Sequence, residues 1–141
     1  MPQSITVLLI DDNPADLLLA QEALSEHEDR VNVITHSDGL TALTYLRDTR
    51  QALPDVILLD VNMPGLGGFE VLGSIRQDPE LRHLPVVMLS NSSDAKDIDT
   101  AYDLIASSYM VKSPKFADFV EQLDQFVKYW LGSQFKRTRR T

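Results

Sequence analysis

Three carboxylates, a hydroxyl group and an ammonium group each follow a short apolar segment of this 141-residue chain. They belong to Asp11, Asp12, Asp60, Ser90 and Lys112. Carboxylates without compensating charge repel one another, so a site that joins three of them favours a bound cation. Oxygen ligands suit Mg²⁺, and a chain without cysteine or a nearby histidine lacks the ligands that zinc prefers. These residue types therefore indicate a magnesium site.

The remaining groups of the set favour phosphoryl chemistry. The ammonium group of Lys112 supplies a positive charge for a phosphoryl oxygen, and the hydroxyl group of Ser90 supplies a hydrogen bond. An aspartate can itself be the nucleophile and form an acyl phosphate. The cation and the lysine would then neutralise charge on the transferring group.

Each residue also has a purely structural interpretation. An acidic pair before a helix is often a cap, aspartate at position 60 opens a segment of turn composition, and Lys112 would protect an exposed edge strand. Asn13 and Pro14, however, already supply the cap and the first helical residue, so the acidic pair is not needed for that role. The joint arrangement, not any single residue, carries the functional interpretation.

Apolar segments of strand length alternate with segments of helical period along the chain. We predict strands at about 5–10, 31–35, 55–60, 85–90 and 108–112, and helices at 14–27, 38–49, 68–77, 94–105 and 114–131. This alternation favours an α/β domain with helices on both faces of a five-stranded parallel sheet. A flavodoxin-like strand order, 2-1-3-4-5, would place Asp11, Asp12 and Asp60 at the crevice between the carboxyl ends of strands 1 and 3.

The composition is that of one globular domain with an acidic surface. The net charge is −8, and 43% of the residues are hydrophobic. We assign residues 1–131 to the domain and 132–141 to a basic C-terminal tail. An acidic body disfavours binding to nucleic acid, and no apolar segment approaches membrane-spanning length. We therefore expect a cytoplasmic protein that binds neither nucleic acid nor a membrane.

From residue 5 to about 131, the chain resembles the receiver domains of two-component response regulators. The residues that carry the resemblance are the pair Asp11-Asp12, Asp60 in the segment Asp-Val-Asn-Met-Pro, Gly68, Ser90, and Lys112 with Tyr109 three positions before it. This family implies that a sensor histidine kinase phosphorylates Asp60. It also implies a signalling domain that catalyses only its own phosphorylation and dephosphorylation, not a metabolic enzyme.

The resemblance assigns a role to each residue that would bind the metal. Asp12, Asp60 and the backbone carbonyl of Asn62 would bind Mg²⁺ directly, and Asp11 would act through a water molecule. This ligand set agrees with the preference of Mg²⁺ for a few carboxylates and retained waters.

The same resemblance implies that Ser90 and Lys112 bind the phosphoryl group. Ser90 and Tyr109 would move inward on phosphorylation and change the surface of the fourth helix, fifth strand and fifth helix. One departure from the family pattern concerns the residue after the lysine. Proline usually follows directly, whereas Ser113 intervenes here before Pro114, so the isomer of the Lys112–Ser113 bond stays open.

Finer features resemble the stand-alone regulators of bacterial phytochrome kinases. They are Asp-Asn-Pro-Ala-Asp at 12–16, Tyr102-Asp103-Leu104, Lys112-Ser113 and the closing Phe126, Trp130 and Leu131. This similarity implies a bacterial phytochrome as the partner kinase. We expect no output domain after the last helix, so the signal would pass through protein contacts. The alternative is a relay of the phosphoryl group to a histidine phosphotransfer protein.

The predicted last helix carries a wide apolar stripe at helical spacing. Core packing accounts for most of it. Its far end, with Phe126, Trp130 and Leu131, extends beyond what a small sheet would cover. We therefore expect a symmetric homodimer, which the phytochrome-linked relatives also suggest.

Two other functional classes share parts of this pattern. Phosphatases with an aspartate nucleophile need a second aspartate two residues later as the general acid, and Asn62 occupies that position. A flavin-binding module has the same sheet order, but the segment Asp11-Asp12-Asn13 would repel the flavin phosphate. A phosphoacceptor domain is therefore the favoured interpretation.

Overall fold

The computed structural model describes residues 4–27 and 29–132 of the chain. Within these residues, strands and helices alternate as predicted. The strands are β1 (Ile5–Ile10), β2 (Val31–His36), β3 (Val56–Asp60), β4 (Val86–Ser90) and β5 (Ser108–Val111). The helices are α1 (Pro14–Ser25), α2 (Gly39–Arg47), α3 (Gly68–Gln77), α4 (Ala95–Asp103) and α5 (Phe116–Gly132). All strand pairs are parallel, and the order β2-β1-β3-β4-β5 confirms the predicted flavodoxin-like sheet.

Four of the five predicted helices extended one or two residues too far at one or both ends, because capping residues lie outside the helices, whereas α3 matches its prediction and α5 ends one residue later than predicted. Asp38 and Asp94, which we placed inside α2 and α4, instead accept hydrogen bonds from backbone N–H groups of the first turn. The first backbone hydrogen bond of α5 runs from Phe119 to Lys115, so this helix begins at Phe116.

Two apolar layers enclose the sheet, and alternate residues of each central strand face opposite layers. Leu8 and Ile10 of β1 pack in the layer formed with α2, α3 and α4. Ile5, Val7 and Leu9 pack in the other layer, which α1 and α5 cover. Strands β3 and β4 are buried along their whole length, which explains their continuous apolar sequences.

One expectation about α5 is wrong. We predicted that the sheet would leave the far end of this helix uncovered, but Phe126 and Trp130 are only 5% and 8% exposed. Both rings pack in the apolar layer that α5 forms with α1 and one face of the sheet. Leu131 is half-buried against the same layer.

Two expectations concern the chain as a whole. The basic tail begins at Gly132 in our assignment, and residues 133–141 lie outside the described residues, so the division at 131 stays a prediction. Among residues 4–27 and 29–132, no helix combines the length and the apolar character that a bilayer crossing requires.

Candidate functional site

The carboxyl ends of β1 and β3 bring three aspartates together. Asp11 and Asp12 follow β1 directly, and Asp60 is the last residue of β3. Ile10 pairs with Leu59, so the two strands end side by side. Carboxylate oxygens from the three aspartates all lie within 4.8 Å of one another. The crevice expected from the strand order is therefore lined by the aspartates that we selected.

Burial makes this concentration of negative charge costly. Asp11 and Asp60 are buried, whereas Asp12 is half-buried. Burial, followed by the negative charge of Asp11, raises the pKa of Asp60 to about 7. The positive charge of Lys112 and a hydrogen bond from the backbone of Asn62 act in the opposite direction but do not outweigh them. A cation among these carboxylates would relieve the repulsion.

Lys112 provides one positive charge at the centre of the site. Its Nζ donates hydrogen bonds to Asp11 Oδ2 at 3.0 Å and to Asp16 Oδ2 at 2.9 Å, and lies 3.8 Å from Asp60 Oδ1. Burial alone would lower the pKa of Lys112, but the hydrogen bonds to Asp16 and Asp11 and the charges of Asp11 and Asp60 raise it. The ammonium group therefore stays charged.

The Lys112–Ser113 peptide bond, whose isomer the sequence left open, is trans.

Asp16 is a member of the site that sequence reasoning missed. In the sequence it served only as the last residue of the segment 12–16, and in the structure it lies in the first turn of α1, where its charge favours the helix dipole. Asn13 Oδ1 accepts hydrogen bonds from the backbone N–H groups of Ala15 and Asp16, which fixes the start of the helix. The segment 12–16 was visible in the sequence, but the distance between Asp16 and Lys112 depends on how α1 packs against α5, the helix that follows Lys112.

Ser90 and Tyr109 both contact the backbone of one residue in the loop after β4. Ser90 is buried at the end of β4, and its Oγ accepts a hydrogen bond of 3.0 Å from Ser92 N. The hydroxyl group of Tyr109 donates a hydrogen bond of 2.8 Å to Ser92 O. Because Ser90 Oγ is the acceptor in the hydrogen bond from Ser92 N, the hydroxyl hydrogen of Ser90 stays available to another group.

The loop after β3 is held close to the carboxyl end of that strand. Gly68 N donates to Val61 O at 3.0 Å, and the backbone N–H of Asn62 donates to the Asp60 carboxylate. A Cβ atom at Gly68 would overlap the backbone of Asp60 and Val61. Position 68 therefore requires glycine because two backbone segments meet there, not because of its φ angle.

The donor set fits a hard divalent cation. The cluster offers only carboxylate oxygens, those of Asp11, Asp12 and Asp60. Lys112 alone does not balance the charge of Asp11, Asp12 and Asp60. Mg²⁺ and Mn²⁺ accept such oxygen ligands, and both retain waters that complete their coordination.

Known proteins share this fold and sequence pattern. The sequence model of the response regulator receiver domain matches residues 7–124. Response regulator Rcp1 of Synechocystis is 34% identical over 129 residues, which cover 89% of this chain and 88% of Rcp1.

Solved structures agree with the sequence comparison. The phosphorylated cyanobacterial phytochrome response regulator RcpA superposes with a TM-score of 0.88 at 37% identity, covering 94% of this chain and 97% of RcpA. The Mn²⁺-bound form of Rcp1 superposes with a TM-score of 0.86 at 32% identity, covering 93% of this chain and 97% of Rcp1. The matches extend over most of this chain and most of Rcp1 and RcpA, and they include the strands that end at the aspartate crevice. This protein therefore belongs to the response regulator receiver domain family.

Proposed function

We propose that this chain is the phosphoacceptor of a two-component system and that Asp60 accepts the phosphoryl group. The observation that carries the proposal is the position of the Asp60 carboxylate. It lies 3.8 Å from the ammonium nitrogen of Lys112 and within 4.8 Å of carboxylate oxygens of Asp11 and Asp12. An acceptor carboxylate, ligands for a divalent cation and a positive charge for the phosphoryl oxygens therefore occupy one pocket.

The proposed metal ligands are Asp12, Asp60 and the backbone carbonyl of Asn62, with Asp11 acting through a water molecule. The metal that we propose is Mg²⁺, and the Mn²⁺-bound form of the similar Rcp1 supports a divalent ion in this family. When bound, the cation supplies positive charge to the acidic pocket and to the phosphoryl oxygens.

The proposed donor is a phosphohistidine of a sensor histidine kinase. An oxygen of Asp60 forms a bond to phosphorus as the bond from phosphorus to the histidine nitrogen breaks, and the product is an acyl phosphate. The ammonium group of Lys112 and the hydroxyl group of Ser90 bind the phosphoryl oxygens. Beyond this transfer and the later hydrolysis of the acyl phosphate, which returns the Asp60 carboxylate and releases inorganic phosphate, we propose no catalytic activity.

The proposed output is a change of the surface formed by α4, β5 and α5. Ser90 and Tyr109 are hydrogen-bonded to the N–H and the carbonyl of the same residue, Ser92. A shift of Ser90 toward a phosphoryl group would therefore move the loop to which Tyr109 is bonded. This connection supports the assignment of Ser90 and Tyr109 as the switch pair.

Partners and location form the remaining part of the proposal. RcpA is described as a phytochrome response regulator, and its similarity supports a phytochrome as the partner kinase here. The acidic composition and the absence of cysteine support a cytoplasmic location.

We also propose a homodimer through the face of β5 and α5. An open cavity of about 530 Å³ on this face is lined by Met110, Phe126 and Trp130, and Tyr129 beside them is exposed. Light scattering at micromolar concentration, with and without beryllofluoride, tests this association. A monomer under both conditions would contradict it.

Intact-mass measurement tests the acceptor. Incubation with Mg²⁺ and phosphoramidate should add one phosphoryl group to the wild-type chain and none to Asp60→Asn. A chelator should also abolish the reaction. Asp118→Asn is a matched control, because Asp118 is exposed in the first turn of α5, and it should react like the wild type. A modification that persists in Asp60→Asn would show that the acceptor is another residue.

A further inference from the structure

Lys112 is closer to two carboxylates than to the proposed acceptor. Its Nζ lies 2.9 Å from Asp16 Oδ2 and 3.0 Å from Asp11 Oδ2, but 3.8 Å from Asp60 Oδ1. An ammonium group has three N–H donors, and these two hydrogen bonds use two of them. The resting position of the lysine is therefore set by Asp11 and Asp16, not by Asp60.

The two carboxylates differ in how firmly they are held. Asp11 is buried, and one of its oxygens also accepts a hydrogen bond from Asn13 N. The side chain of Asp16 is 27% exposed, whereas that of Lys112 is 5% exposed. A cavity of about 280 Å³, lined by Asp16 and Lys112 among other residues, opens beside this pair. Water can therefore solvate the Asp16 carboxylate if the lysine leaves it.

We propose that Asp16 is a positioning residue that holds Lys112 back from the acceptor in the unphosphorylated protein. This inference rests on the proposed function, because the competitor for the ammonium group is the phosphoryl group on Asp60. As Lys112 turns toward a phosphoryl oxygen, its contact with Asp16 weakens. Asp16 thereby lowers the stability of the phosphorylated form relative to the resting form.

The charge of Asp16 acts in the same direction as its hydrogen bond. A phosphoryl group adds negative charge to a pocket that already contains several carboxylates, and Asp16 lies within contact distance of the lysine that must neutralise it. Removal of this one carboxylate charge would free the lysine and reduce the repulsion. Both effects favour the phosphorylated state.

Beryllofluoride, a non-covalent mimic of the phosphoryl group, tests the inference without the chemical step. Binding is measured by fluorine NMR at saturating Mg²⁺ for the wild type, Asp16→Asn and Asp118→Asn. Asp118 is also an acidic residue in the first turn of a helix, so its variant controls for the helix dipole. We expect Asp16→Asn to bind about fivefold more tightly than the wild type, and Asp118→Asn to match the wild type.

A second variant and a second readout separate positioning from a structural role. Asp16→Ala should also bind more tightly, even if loss of the acid lowers the thermal stability of α1, because destabilisation alone does not raise the affinity for an anion. With a limiting amount of phosphoramidate, a larger fraction of Asp16→Asn than of the wild type should be phosphorylated.

The outcomes distinguish this inference from the proposed function. If the wild type binds beryllofluoride and is phosphorylated on Asp60, but both Asp16 variants bind with unchanged or weaker affinity, the role of Asp16 is refuted and the acceptor assignment stands. If the wild type neither binds beryllofluoride nor accepts a phosphoryl group, the proposed function is refuted, and the inference fails with it.

Discussion

The ammonium nitrogen of Lys112 lies 3.0 Å from a carboxylate oxygen of Asp11, although 101 positions separate the two residues in the chain. Both side chains are almost completely buried. The pair joins the end of β5 to the end of β1 across the edge of the sheet where the carboxyl ends of the strands meet. Its energetic importance comes less from the attraction itself than from the charge that either residue would leave behind without the other.

Replacement of Lys112 by methionine removes this compensation while retaining much of the side-chain volume. In the metal-free protein, Lys112→Met should lower the free energy of unfolding by about 3 kcal/mol, because Asp11 and Asp60 lose their buried counter-charge. Mg²⁺ should restore part of the loss. Urea unfolding with and without chelator measures both quantities. Lys96→Met is the control, since Lys96 is exposed on α4, and it should change stability by no more than about 0.5 kcal/mol.

The raised pKa of Asp60 predicts a pH dependence of stability in the metal-free protein. Its pKa is about 7 in the folded chain, against an ordinary value of 3.8 for an aspartate. Between these values the folded protein retains a proton that the unfolded chain has lost. The free energy of unfolding should therefore fall as the pH rises through this range, by up to about 1.4 kcal/mol per pH unit, and level off above about 7.

Urea unfolding in the presence of chelator measures this dependence at several pH values. In Asp60→Asn, which has no titrating group at this position, the decline should be reduced and the stability near pH 8 should exceed that of the wild type. Saturating Mg²⁺ should also reduce the decline in the wild type, because the cation favours the ionised carboxylate. An identical pH profile for the wild type and Asp60→Asn would contradict the raised pKa.

The sequence was sufficient to predict which strands end at the site but not every contact made there. Asp11, Asp60 and Ser90 follow buried apolar segments, and the rules for parallel sheets then determine which strand ends meet. The contact between Asp16 and Lys112 depends instead on the packing of α1 against α5.

The same limitation explains the error about α5. The apolar stripe identified Phe126 and Trp130 as large side chains that need burial. Which surface covers them depends on the apolar layer that α5 forms with α1 and one face of the sheet, whose residues lie far away in the chain, and hydrophobic periodicity does not report such pairings. Local patterns therefore predicted the elements well and the helix-to-helix contacts poorly.

The hydrogen bond from Tyr109 to the carbonyl of Ser92 predicts a separation of phosphorylation from output. Tyr109→Phe should lose about 1 kcal/mol of stability, because a half-buried carbonyl loses its partner. Phosphorylation of Asp60 should persist, since the hydrogen bond that is lost runs to the Ser92 carbonyl and not to Asp60 or Lys112. The shifts that beryllofluoride induces in the backbone NMR signals of α4 and β5 should become smaller.

Tyr102→Phe serves as the matched control for that variant. Tyr102 lies on α4 and is exposed, so removal of its hydroxyl group should leave both the stability and the response of the backbone signals near those of the wild type. Equal responses to beryllofluoride in Tyr109→Phe and the wild type would exclude the Ser92 contact as a route from the site to the surface.

The close approach at Gly68 predicts that a single methyl group would disturb the acceptor. In Gly68→Ala the new Cβ atom would overlap the backbone carbonyl of Asp60 and Cα of Val61, neither of which can move without displacing the end of β3. We expect a loss of about 2 kcal/mol or more in the free energy of unfolding, together with slower phosphorylation. Urea unfolding and intact mass measure the two effects.

Gly73→Ala provides the comparison, because it makes the same change within the same helix. A Cβ atom at Gly73 would make only an ordinary contact of 4.0 Å with the side chain of Leu104. Alanine is a better helix former than glycine, so this variant should gain up to about 1 kcal/mol and phosphorylate like the wild type. If both variants instead had the same free energy of unfolding and the same phosphorylation rate, the close approach of Gly68 to the backbone of Asp60 would not constrain the site.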